Sequence, residues 1–359
     1  MAEENLDAFV VTTRPNSYYL SLFDCSNSVL VVTSASAHFL TDFRYIEAAE
    51  KSLSPDWELL RLGSAPLSME LGRLLNRAGI HRIGFEGDAP YNTYRMLCEC
   101  TEDAARLVEA GGLLRTLRAV KDADEINLIA QSQRINEAVL DAALGPVART
   151  DAPLTELELQ TIIRRCMLER GVEEAFATIV AFGASSSLPH AVPGNQLLAG
   201  QAVVLVDMGV RLDHYCSDMT RTFLLASANL DPERGKLAAV YDIVLEAQAT
   251  ALQAVRAGVE AWEVDHAARE VIAKAGYGEY FGHGLGHGVG IEIHEAPRLG
   301  LNSNEVLREG MVVTIEPGIY LPGIGGVRIE DLVVVEERGC RNLTSFSKSP
   351  NFLDQRRRI

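Results

Sequence analysis

Four acidic residues stand inside, or at the end of, the most apolar stretches of this 359-residue chain. Asp207 closes AVVLVD, Asp218 falls in HYCSDMTRTFLL, Glu316 closes MVVTIE and Glu330 interrupts VRIEDLVVV. Composition and flanking turn residues predict four strands here, Ala202–Asp207, His214–Leu225, Met311–Glu316 and Val327–Val335. An acid facing inward from an apolar strand is costly unless it is paired or holds a metal. A hairpin turning around Gly209 to Asp213 would bring Asp207 and Asp218 together across its ladder. Strand alternation places Arg328 on the same side as Glu330. Taken alone, Asp207 and Asp218 are as readily turn or surface residues. Glu330 alone could stand on an exposed edge strand with salt bridges.

A second pattern sharpens the first. His283, His287 and His294 fall within twelve positions, three of the chain's eight histidines. Glycines at 282, 284, 286, 288 and 290 surround them, and such a run lets backbone approach a site closely. Histidine is a frequent metal ligand and proton carrier. Four carboxylates and an imidazole make an oxygen-rich ligand set. Four anions converging without a cation would repel and raise one another's pKa values. Two divalent ions balance four negative charges, so two divalent metal ions form the simpler count. Such ligands suit Mn²⁺ first, with Fe²⁺, Co²⁺ or Zn²⁺ as alternatives. Two ions about 3.5–4 Å apart can hold a bridging hydroxide and polarise a carbonyl, which is metal-assisted hydrolysis.

The segment His283-Gly-Leu-Gly-His287-Gly-Val-Gly-Ile-Glu-Ile-His294-Glu295 resembles the signature of the proline peptidases, prolidase and aminopeptidase P, within the pita-bread fold group. Asp207, Asp218, Glu316 in IEPG and Glu330 in GGVRIED stand where that family's other ligands occur. The resemblance covers essentially the whole chain. It implies an α+β architecture: a pita-bread dinuclear metallopeptidase domain over 121–359, preceded by a smaller creatinase-type α/β domain over 1–120. By the same resemblance Asp207 holds one metal, Asp218 and Glu330 bridge both, and His287 and Glu316 hold the other. Glu316 is also a candidate proton shuttle. His283 and His294 line the site and bind substrate or intermediate, and His190 in SSSLPHAVPGN matches a further active-site histidine. Arg328 matches a residue that pairs with ligand carboxylates. Arg298 matches an arginine that would capture the carboxylate of a substrate ending in proline, for which a guanidinium is suited.

The implied activity is hydrolysis of Xaa-Pro bonds, with Xaa-Pro dipeptidase as the first reading. Aminopeptidase P acting on longer peptides is the alternative, and a non-catalytic peptide-binding pseudo-peptidase a more distant one. Creatinase lacks this ligand set, and methionine aminopeptidase normally lacks such an N-terminal domain. A homodimer is implied by resemblance alone.

The rest of the chain frames this centre. Lys plus Arg is 33 and Asp plus Glu is 49, a net charge of −16 that argues against general nucleic-acid binding. No apolar run approaches the roughly 20 residues of a membrane span. MAEENLDAFVV lacks a basic n-region, Cys98-Glu99-Cys100 lacks the spacing of a zinc knuckle, and the six cysteines read as reduced thiols of a cytoplasmic protein. In the first third, strands are expected at Leu6–Val11, Val29–Thr33, Trp57–Leu62 and Ile83–Phe85, with helical patterns at Phe43–Lys51 and Leu67–Ala78. A boundary follows at about 118–122. Capping-box signals at Asp122/Glu125 and Thr155/Glu158 open two long helices. Asp231-Pro232 opens a third reaching about Arg256, and a fourth spans about Ala261–Ala275.

Overall fold

A computed structural model describes residues 1–2, 4–63, 66–77, 79–101, 106–149, 154–225 and 232–356. They form two compact units, Met1–Arg118 and Ala119–Ile359.

The first unit is built on a six-stranded mixed sheet. Its central strand Ala8–Val11 pairs antiparallel with Ser28–Thr33 and parallel with Ile83–Phe85. Ala37–Asp42 and Trp57–Leu62 extend one side, and Leu107–Glu109 the other. Successive residues of a strand point to opposite faces, so a sheet covered on both faces reads as a continuous apolar run. Ala8 and Val10 join Leu71, Leu74 and Leu97 of the helices Leu67–Leu75 and Tyr91–Cys100. Phe9 and Val11 instead join Phe39, Ala49 and Leu114 on the opposite face. The helix expected from Phe43 begins at Ile46, after the strand Ala37–Asp42. The helix beginning at Leu67 ends at Leu75, and its expected end at Ala78 lies outside the described residues.

In the second unit every described strand pair is antiparallel. Two long hairpins dominate it, and each is broken partway. In the first, Val203–Met208 pairs with Met219–Leu224, and Val210–Leu212 with Tyr215–Cys216. Asp213 and His214, both at positive φ, make its two-residue tip. In the second, Val312–Ile315 pairs with Asp331–Glu336, and Gly318–Leu321 with Gly325–Arg328. Asp218, Glu316 and Glu330 therefore stand in the breaks rather than within continuous strands.

The backbone explains these breaks. Every buried N–H needs an acceptor, and at a break the acceptor comes from another element. Glu330 N donates to Thr220 O of the other hairpin at 3.1 Å, and Glu316 N donates to Leu285 O at 2.9 Å. The helices Ala123–Arg149 and Glu156–Leu168 pack on one apolar cluster, Pro232–Ala254 and Ala261–Lys274 on another. Both expected capping boxes form. Asp122 and Glu125 exchange backbone bonds of 2.9 Å each. Thr155 N donates to Glu158 at 2.8 Å, and Glu158 N donates back to Thr155 Oγ1 at 3.2 Å. Pro232 is the first described residue of its helix, and the expected start at Asp231 lies outside the described residues.

A buried ionic staple locks the second hairpin to the first. Fully buried Arg221 donates to Asp331 Oδ1 at 2.9 Å, to Thr220 O at 2.9 Å and to Glu330 O. It also holds Phe346 O at 2.9 Å, while Lys348 and Asn342 complete the shell of Asp331. Removing Arg221 would take from buried Asp331 one of its two cations, and from Glu330 O and Phe346 O a buried donor. Arg221→Met should lower unfolding free energy by about 3 kcal/mol or more in urea titrations of the metal-free protein. Glu47→Ala, which breaks the exposed pair with Lys51, should leave it essentially unchanged. Equal shifts for the two variants would refute this account of the staple.

Candidate metal centre and active site

The broken hairpins bring the acids together. Asp218, His287 and Glu330 each offer a ligand atom, and these atoms lie within 4.8 Å of one another. Glu316 joins them through its Oε1, 3.4 Å from His287 Nε2, and Asp218 Oδ2 lies 3.6 Å from the same nitrogen. Asp207 stands opposite Thr220 in the first hairpin. It enters through Arg328, whose Nη2 donates to Asp207 Oδ2. Asp207, Asp218, Glu330 and Arg328 are buried; Glu316 and His287 are largely so.

His287 reveals what the centre lacks. Its Nδ1 lies 3.1 Å from Gly288 O. A carbonyl can only accept, so Nδ1 carries the proton and Nε2 presents a lone pair. That lone pair faces Asp218 and Glu316, which are themselves acceptors when ionised. Burial, with help from the nearby His294, pushes the His287 pKa down to about 4, so its imidazole is neutral. Only a proton or a cation can sit stably between such groups.

The carboxylates agree. Burial is the largest cause holding Asp218 well above the usual carboxylate range, followed by the charges of Glu330, Asp207 and Glu316. Glu330 is raised in the same way by burial and by Glu316 and Asp207. Glu316 is pushed up to about 8, chiefly by burial. Asp207 Oδ1, Asp218 Oδ1 and Glu330 Oε1 are buried without a hydrogen-bond partner. Buried oxygens of this kind are normally satisfied. Three orphaned carboxylate oxygens and one imidazole lone pair fit a divalent cation site built mainly from oxygen donors.

Residues absent from the sequence reading knit the candidate ligands together. Thr220 Oγ1 donates to Glu330 Oε2 at 2.7 Å and accepts from Arg328 Nε at 3.0 Å. Thr314 Oγ1 donates to Glu316 Oε1 at 3.1 Å and accepts from His287 N at 3.0 Å. Tyr320 OH accepts from Arg328 Nη1 at 2.7 Å and lies 2.8 Å from His283 Nε2. His283 Nδ1 lies 2.8 Å from Gly284 O, so it too carries its proton there and Nε2 accepts from Tyr320. Burial lowers the His283 pKa to about 4. The one signal in sequence was a hydroxyl in a buried strand, for Thr314 and Tyr320 an otherwise apolar one.

The histidine segment owes its glycines to neighbouring backbone. A Cβ on Gly286 would meet Thr314 O at 2.1 Å, and one on Gly288 would meet Ala296 O at 2.1 Å. Close approach of the flanking strands, more than approach to the site, requires glycine there. Glu295 anchors the following loop, accepting from Glu292 N at 2.9 Å and from the buried Lys121 Nζ at 3.1 Å.

The remaining candidates stand at the rim. His294 is exposed, and its ring meets His287 edge-on with centroids 4.4 Å apart. Arg298 is exposed and lies directly across the ladder from His287, which places both side chains on one face. His190 is exposed in the loop after the short helical turn Gly183–Ser187, and the preceding Pro189 O accepts from Arg328 Nη1 at 3.4 Å.

A buried cluster of carboxylates and one neutral imidazole, carried on broken antiparallel hairpins, defines a metallohydrolase-type centre. The chain belongs to metallopeptidase family M24, whose model matches residues 127–337, while the creatinase/prolidase N-terminal domain model matches residues 1–120. Its architecture is the α+β pita-bread fold preceded by the creatinase-type α/β domain. It is similar to the Xaa-Pro dipeptidase of Pyrococcus horikoshii, with 35% identity over 351 residues, covering 97% of this chain and 95% of that protein. Among solved structures, an Xaa-Pro dipeptidase from Bacillus anthracis matches with a TM-score of 0.90 and 35% identity, over 98% of this chain and 96% of that one. An X-Pro aminopeptidase from Thermotoga maritima matches with a TM-score of 0.85 and 34% identity, over 96% and 97%.

The raised carboxylates predict a pH signature for the metal-free protein. Glu316 keeps its proton up to about 8 in the fold but loses it near 4.5 when unfolded. The folded state then binds the extra proton, so this contribution to stability is lost as pH rises through that window. His283 and His287 act oppositely, but only between about 4 and 6.5. Between pH 6.5 and 8 the carboxylates act alone, and Glu316 should contribute a fall of about 2 kcal/mol. Chelator-treated protein should therefore melt lower at pH 8 than at 6.5, and Glu316→Gln should flatten the trend. A melting temperature rising over that interval, unaltered in the variant, would contradict the reading.

Proposed function

We propose that this protein is a metal-dependent Xaa-Pro peptidase, most simply an Xaa-Pro dipeptidase, with a dinuclear centre. The observation that carries the reading is the His287 Nε2 lone pair facing Asp218 and Glu316, beside three orphaned carboxylate oxygens. Relatives named Xaa-Pro dipeptidase support the substrate class. Asp207, Asp218, His287, Glu316 and Glu330 would hold two divalent ions, with Mn²⁺ the first choice. When bound, such ions supply Lewis acidity and lower the pKa of water into the neutral range.

The chain's own groups do the rest. Glu316, steadied through Oε1 by Thr314, takes the proton from the attacking water and returns it to the departing proline nitrogen. Arg328 pairs with Asp207 and, through Thr220, orients Glu330. His283 and His294 bind the substrate and the charge that develops on the scissile carbonyl, with His190 at the rim. Arg298, on the face of His287, meets the free carboxylate of a C-terminal proline.

Metal analysis tests the centre. Wild-type protein saturated with Mn²⁺ should bind two ions per chain, and Asp218→Asn or Glu330→Gln should weaken both, because each removes a shared anion. A stoichiometry of one would sink the dinuclear reading. His287→Ala should lose metal, whereas His294→Ala should keep it and lose turnover.

Substrate choice is tested by comparing a Xaa-Pro dipeptide with a Xaa-Pro-Xaa tripeptide on the Mn²⁺-loaded enzyme. The dipeptide should be preferred. A charge-assisted contact is worth roughly 1.5–3 kcal/mol, so Arg298→Ala should raise KM for the dipeptide about ten- to a hundredfold and spare the tripeptide. Lysine at 298 should rescue only in part, since an ammonium cannot make the planar two-bond contact. If the two substrates suffer equally, Arg298 is structural and the aminopeptidase reading gains.

A further inference from the structure

Residues 281–285 carry His283 into the site without a ladder of their own, since the strand that follows begins at Gly286. Their main-chain groups need other partners, and the helix Ala261–Lys274 provides them. Fully buried Asp265 accepts from Leu285 N at 3.0 Å. One turn further along the helix, Arg269 is gripped by the same carboxylate through two bonds of 2.8 and 2.9 Å. The far side of the guanidinium then reaches the histidine segment. Nη1 donates to Phe281 O and Nη2 to His283 O, each at 2.8 Å. Alternate residues 281, 283 and 285 are thereby fixed to one helix face.

A second set of contacts converges on the same imidazole. The Arg269 guanidinium carbon lies 4.1 Å from the centroid of the buried Phe281 ring. That ring meets the His283 imidazole edge-on, with centroids 5.1 Å apart and planes at 89°. Guanidinium, phenyl and imidazole are thus in contact one after the other. Arg269 reaches His283 by two routes, through its carbonyl and through the ring beside it. A salt bridge serving helix stability alone would need neither.

We propose that Arg269, oriented by Asp265, is a positioning residue that sets the place of the His283 imidazole. The proposal deepens the functional reading above and rests on it, in that His283 is taken to act on substrate. The planar fork is the feature that matters: a lysine keeps the charge but cannot hold Asp265, two carbonyls and a ring face at once. Small displacements of a catalytic group are expensive, so the effect should appear in turnover rather than in metal binding.

The experiment is a double-mutant cycle on Mn²⁺-loaded protein, with Arg269→Lys and His283→Ala made singly and together. Arg269→Lys should cut kcat roughly ten- to a hundredfold with KM little changed and metal content intact. In the His283→Ala background the same change should cost less than about twofold, because the group it positions is gone. Phe281→Leu, which removes the intervening ring but leaves the fork, should show the same dependence on His283 should the arginine variant fail to fold. Histidine-ring NMR on the metal-free protein gives a readout without turnover. The His283 Cε1–H resonance should move in Arg269→Lys, while that of His81, exposed in the first unit, stays put. Equal losses of kcat with and without His283, together with an unmoved His283 resonance, would overturn the proposal. If wild-type protein hydrolyses no Xaa-Pro substrate, the functional reading fails, and the NMR comparison still decides the positioning.

Discussion

Like charge held in a low-dielectric interior is the constraint on which the second unit depends. Four carboxylates converge there with one internal guanidinium, Arg328, to offset them. Three negative charges then need either protons or cations. Burial sharpens that choice, because an unpaired ion away from water is far costlier than one at the surface. The neutral His287, with its lone pair turned inward, adds a donor that a proton serves poorly and a metal serves well. Hydroxyls at Thr220, Thr314 and Tyr320 take up part of the hydrogen-bonding capacity without adding charge. The polar network is thus nearly closed, and the oxygens it leaves open belong to Asp207, Asp218 and Glu330.

Breaking the hairpins is how the fold delivers these groups. In an unbroken ladder, side chains alternate across two faces, and acids from different strands would be spread along the sheet. At Ser217-Asp218, Glu316-Pro317 and Ile329-Glu330 the ladder stops and the chain re-aims. The freed N–H groups of Glu316 and Glu330 bond across to other elements, so the interruption itself becomes the joint between them. Arg221 and Asp331 then fasten that joint from behind, away from the ligand atoms.

Much of this was legible in the sequence, and the missing parts have physical reasons. Capping boxes are local, and both expected ones formed where Asp122 and Thr155 placed them. The apolar strands were equally plain, because burial on both faces leaves a continuous hydrophobic run. That same continuity hid the breaks: VRIEDLVVV reads as one strand since the residues on each side of Ile329-Glu330 are all buried. In the first unit the short helices Arg14–Ser21 and Tyr91–Cys100 escaped notice. Their sequences, RPNSYYLS and YNTYRMLCEC, are short and largely polar, and helices of that length take their helical state from tertiary packing. The acids and histidines of the candidate site announced themselves by residue type. The hydroxyls, Lys121 and the Asp265–Arg269 pair did not, because each gains meaning only from a contact with residues far along the chain or hidden behind the site.

Those contacts are distant in sequence, and that bears on how the molecule comes into being. Thr220 and Glu330 are separated by 110 positions, Asp207 and Arg328 by 121. During synthesis Asp207 and Asp218 leave the ribosome well before the partners that define their cluster exist. Until the second hairpin arrives and docks, the first lacks the Glu330 and Arg328 contacts that Thr220 and Asp207 make in the folded chain. Closing such long loops is slow and comes late in folding. A cation that required all of these groups would therefore find them together only on a nearly finished molecule, and its binding would seal the structure rather than seed it.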